Sequence, residues 1–87
     1  NARLIAHDAT ALPPAKAPAD LIFLDPPYGE GLATKALASA LASGWVAPHS
    51  WVSVETARGE VLEAPGFVID TTRGVGKAEL HLLRPAP

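Results

Sequence analysis

Apolar and polar positions divide this chain into short runs with two different periods. Leu21-Ile22-Phe23-Leu24 is an unbroken hydrophobic run that stops at Asp25-Pro26-Pro27-Tyr28. A run of that length without a polar position predicts a strand buried on both faces, as inside a parallel sheet. Arg3 to His7 and Trp51 to Thr56 predict two further strands. Between Leu32 and Ser43 the spacing becomes helical, with Leu32, Ala36, Leu37, Ala40 and Leu41 on one stripe, Lys35 on a solvated face and Gly44 as a stop. Phe67 to Arg73 and Lys77 to Leu83 are β-rich runs joined by Gly74-Val75-Gly76, which predicts an antiparallel hairpin. In the second run Ala78, Leu80 and Leu82 alternate with Lys77, Glu79 and His81, so His81 is expected on a solvated face. Pro13 to Pro18 reads as a loop and Pro65-Gly66 as a turn. There is no internal repeat, and the pattern predicts one α/β unit over residues 1–87.

The segment after the first apolar run carries the candidate chemistry. Pro26 and Pro27 lack a backbone N–H and fix φ, so the chain leaves the strand stiff and extended, with Asp25 and Tyr28 on a lip at the strand's carboxyl end. In open α/β sheets ligands bind at that edge. The Asp25 carboxylate and the backbone carbonyls beside the prolines are acceptors suited to the two N–H groups of an exocyclic amine. Holding both N–H groups turns the nitrogen lone pair out of the ring and toward an electrophile. Tyr28 offers a face on which a base can stack. The same residues also admit a structural reading, a proline turn with Tyr28 in the core and Asp25 as a helix cap. Asp8, after the first strand, either faces a ligand or caps a short turn at Ala9 to Leu12. Trp45 and Trp51 are expected as core or rim packing, and Glu55 at a strand end has no assigned role.

Composition narrows the class. The 87 residues are 48% hydrophobic and 18% charged, which fits a small globular unit that packs against more protein. A net charge of −2 with dispersed Lys and Arg argues against this stretch being the main grip on nucleic acid. With no cysteine and three scattered histidines no metal site is expected. No apolar run approaches the roughly 20 residues of a membrane span and no secretory leader is visible, so a cytoplasmic location is expected. The chain begins at Asn1 and has no methionine, which suggests a fragment or a processed product.

The succession of strand, acidic loop, strand with Asp25-Pro26-Pro27-Tyr28, helix, strand ending in Glu55 and hairpin with Arg73 to Lys77 resembles the C-terminal half of the RsmD-type family. These are bacterial 16S rRNA guanine-N2 methyltransferases. The resemblance spans nearly the whole chain; Asp25 to Tyr28 is its most specific element, and Gly44-Trp45 and Val52 to Glu55 support it. It implies the C-terminal part of a Rossmann-like methyltransferase sheet, in which the final hairpin inserts an antiparallel strand. It further implies Asp25, Pro26, Pro27 and Tyr28 around the target guanine, and Asp8 with Ala9 against the adenine of S-adenosylmethionine. The reaction would be in-line transfer of a methyl group to N2 of an unstacked guanine. The implied partner is 16S rRNA or the assembling small ribosomal subunit, and an exposed apolar edge would favour self-association.

Two parts of the family pattern have no counterpart in this sequence, the glycine-rich cofactor loop after the first strand and the acid after the second. The chain alone is therefore expected to bind S-adenosylmethionine weakly and to be inactive without the rest of the enzyme. Calorimetry on the 87 residues should detect no micromolar affinity. The competing assignments are an N6-adenine or other amino-group methyltransferase on DNA or RNA, and a non-catalytic binding or assembly module.

Overall fold

The computed structural model describes residues 3–6, 12–27, 29 and 31–87, with residues 4–6 described by their backbone alone. Each short apolar run becomes a strand. β1 is Arg3–Ala6, β2 Leu21–Leu24, β3 Trp51–Ala57, β4 Phe67–Val75 and β5 Ala78–Pro85, and the helix α1 is Leu32–Ala42. Among the described residues these strands form one sheet in the order β1-β2-β3-β5-β4. β1, β2 and β3 run parallel, with α1 as the crossover from β2 to β3. β5 pairs antiparallel with β3 on one side and with β4 on the other, so the closing hairpin inserts its second strand next to β3.

The helix fixes which sheet face becomes the core. α1 buries Ala33, Ala36, Leu37 and Ala40, a stripe at the spacing of one helical face. These residues cluster with Ile22, Leu24, Val52, Val54 and Leu83 from the sheet. The stripe is rotated by a residue from the expected one: Ala33 is buried, Leu32 is half-buried and Leu41 is exposed.

Gly44, at φ +82°, ends the helix as the sequence indicates. Its N–H donates to the Leu41 carbonyl and the Trp45 N–H to that of Ala40, the paired bonds of a Schellman cap. The proline-rich loop is stapled to this end of α1. The Trp45 indole Nε1 donates to the Pro13 carbonyl at 2.8 Å, and the Ala15 N–H donates to the Ser43 carbonyl at 2.8 Å. Buried Ser50 donates to the Ala19 carbonyl at 2.6 Å and accepts the Ala47 N–H at 2.8 Å, which sets the start of β3 beside that of β2.

Three expectations are corrected. β2 is buried on one face only: Ile22 and Leu24 are in the core, whereas Leu21 and Phe23 are 37% and 39% exposed. Among the described residues α1 is the only helix, and it covers only one side of the sheet. Second, Ala78 is buried as expected, but from Leu80 onward the faces of β5 are inverted. Leu83 is fully buried and His81 is 4% exposed, while Leu80 and Leu82 lie on the open face. His81 is accommodated because both ring nitrogens have partners, Nε2 lying 2.9 Å from Thr56 Oγ1 and Nδ1 3.0 Å from Thr72 Oγ1. Third, Gly74 and Val75 belong to β4, and the hairpin closes through Gly76-Lys77, with Gly76 at φ +60°. Gly74 instead makes room for a neighbour, because a Cβ there would sit 2.5 Å from Arg58 Nη2.

Candidate active site

β1 and β2 end at the same level, beside the middle of β3, and that places the chemistry at one edge. Ala6 of β1 is level with Leu24 of β2, which is level with Val54 of β3. In open α/β sheets ligands bind beyond this carboxyl edge. Asp25 leaves β2 at this point and is exposed, Pro26 is buried beneath it, and Pro27 is exposed again. The buried Pro26 ring anchors the segment between two exposed neighbours. Glu55, half-buried, follows Val54 on the adjacent strand.

Beyond the prolines the loop turns into α1 through two glycines in the left-handed region, Gly29 at φ +84° and Gly31 at φ +68°. Such angles favour glycine because a side chain would clash with the backbone. The Gly29 carbonyl accepts the Leu32 N–H at 3.1 Å, and the Gly31 carbonyl accepts the Lys35 N–H at 3.0 Å. The Gly29 N–H donates to Glu60 Oε1 at 3.1 Å. Glu60 lies in the loop after β3, and local patterning gives no hint that it reaches the segment after β2.

Of the expected site residues, Asp25, Pro26 and Pro27 sit together at the carboxyl edge. Tyr28, Asp8 and Ala9 lie outside the described residues. His49 Nε2 lies 2.9 Å from Asp20 Oδ1, and His81 is held in its threonine pair. Among the described residues no group of three or more His, Cys, Asp or Glu could hold a metal ion, and no helix is long and apolar enough to cross a membrane.

A family model described as Conserved hypothetical protein 95, the RsmD-like family, matches residues 2–84. The chain belongs to this family. Solved structures place the RsmD-like chain on the fold of known proteins. It matches a candidate methylase from Haemophilus influenzae at 26% identity and a TM-score of 0.71, over 85% of this chain and 43% of that one. A hypothetical protein from Streptococcus pyogenes aligns at 25% identity and a TM-score of 0.66, over 83% of this chain and 46% of that one. The candidate methyltransferase YhhF of Escherichia coli, at 21% identity and a TM-score of 0.68 over 79% of this chain and 39% of its own, shares the fold. This chain thus spans less than half the length of each. No curated protein matches it. The mixed sheet with its closing hairpin is the C-terminal part of a Rossmann-like methyltransferase sheet.

Proposed function

We propose that the complete protein containing this chain transfers a methyl group from S-adenosylmethionine to the exocyclic N2 amino group of a guanine in 16S rRNA, alone or within the assembling small ribosomal subunit. The observation that carries the proposal is the exposed Asp25 on a segment anchored by buried Pro26, at the edge where β1 and β2 end level with each other. The RsmD-like membership and the Haemophilus influenzae relative support the reaction class.

The residues of this chain fit one side of such a cofactor. Ala6 at the end of β1 is level with Leu24 at the end of β2, Asp8 and Ala9 follow β1 in the sequence, and an acid next to a small residue suits an adenine edge. When bound, the cofactor supplies an electrophilic methyl group. The chain does the orienting. The Asp25 carboxylate and the Pro26 carbonyl accept the two N–H groups of the guanine amine, which weakens the conjugation of its lone pair with the ring, and Tyr28 stacks on the base. Because N2 keeps its protons until methyl transfer, Asp25 acts by placing and polarising them, and the surplus proton then leaves to solvent.

The test is incubation of the complete protein with labelled S-adenosylmethionine and 16S rRNA, small ribosomal subunits or DNA. Label recovered as N2-methylguanine in rRNA is the expected result. Label in N6-methyladenine or in DNA would move the assignment to another amino-group acceptor, and label in none of the substrates would end it.

A further inference from the structure

We propose that Glu60 is a positioning residue for the Asp25–Tyr28 segment, a role that rests on the methyl-transfer reading above. One carboxylate oxygen of Glu60 serves two loops. Oε1 accepts the Gly29 N–H at 3.1 Å and the Ala57 N–H at 3.3 Å, while the Glu60 N–H donates to the Ala57 carbonyl at 3.1 Å. The side chain thus folds back onto the end of β3 and reaches across to the exit of the β2 loop. The Glu60 side chain is half-buried, which limits competition from water for these bonds.

The placement matters because, among the described residues, Gly29 has few other contacts. A Cβ built there would meet nothing within 4 Å, so contacts on that side do not define the loop. Its N–H is fixed by Glu60 and its carbonyl by the Leu32 N–H. Gly29 directly follows Tyr28, and buried Pro26 lies on the other side of it in the chain. Glu60 therefore fixes the chain at Gly29, three positions beyond buried Pro26. α1 is secured independently by Ala33, Ala36, Leu37 and Ala40 in the core, so removing the Glu60 carboxylate should loosen the segment without unseating the helix.

The experiment compares Glu60→Ala and Glu60→Gln in the complete protein. Glutamine keeps an acceptor oxygen at the same reach, whereas alanine removes it. Glu60→Ala should lower kcat about 10- to 100-fold, the effect of a displacement on the ångström scale. The KM for S-adenosylmethionine should change less than about twofold and the unfolding midpoint little. Glu60→Gln should recover most of the lost rate. Wild-type kcat in Glu60→Ala, or a Gln variant as slow as the Ala variant, overturns the assignment. Amide hydrogen exchange at Gly29 provides a readout independent of catalysis. If the wild-type protein methylates nothing, the methyl-transfer reading fails, and the positioning claim then stands only if Gly29 is protected in wild type and in Glu60→Gln but exchanges faster in Glu60→Ala.

Discussion

Replacing Asp25 by alanine in the complete protein is expected to slow methyl transfer about 100- to 1000-fold, the range seen when a single group that stabilises developing charge is removed. The Asp25 side chain is exposed and outside the apolar cluster, so the substitution leaves the core packing of β2 and α1 in place. The loss should fall on kcat, with the KM for S-adenosylmethionine little changed, because the carboxylate engages the amine that reacts and not the methyl donor. Asp25→Asn retains one acceptor oxygen but loses the charge and presents an amide N–H to the guanine amine, so its rate should lie between wild type and alanine. Unchanged methylation in Asp25→Ala, with folding verified by the unfolding midpoint, would favour the proline turn as a structural feature and remove the basis for the catalytic assignment.

The elements of this fold were legible because each is announced by a local signal. The apolar run at Leu21 to Leu24, the helical stripe ending at Gly44 and the glycine-bearing link before Lys77 all lie where the sequence places them, to within a few residues. Sidedness was not legible, because it depends on what covers each face. Leu21 and Phe23 look like core residues, yet the described residues provide one helical layer and leave that face open. His81 shows the same difficulty in reverse. Alternation alone places it outward, but Thr72 directly across on β4 and Thr56 on β3 give its ring nitrogens partners, which makes burial affordable. At the site, Asp25 and its prolines could be read because the motif is contiguous. Glu60 could not, since its contact with Gly29 spans 31 positions and depends on two loops meeting at one edge.

Leu83→Ala and Leu82→Ala are expected to differ sharply in the 87-residue chain, although the two leucines are neighbours on β5. Leu83 is fully buried, paired with Val52 and Ile69, and belongs to the cluster under α1. Its truncation removes apolar contacts and leaves a void that close-packed neighbours fill only partly, at a cost of about 2–5 kcal/mol. Leu82 points to the opposite face, opposite Ser53, and is 37% exposed, so its truncation removes much less apolar surface from contact and should cost about 1 kcal/mol. Urea unfolding of the two variants measures the contrast, and the Leu83 variant should show by far the lower midpoint. Equal costs would mean that the face carrying Leu21, Phe23, Trp51 and Leu82 is covered in solution. A midpoint that rises with protein concentration would then identify a second copy of the chain as the cover, because only association makes unfolding depend on concentration.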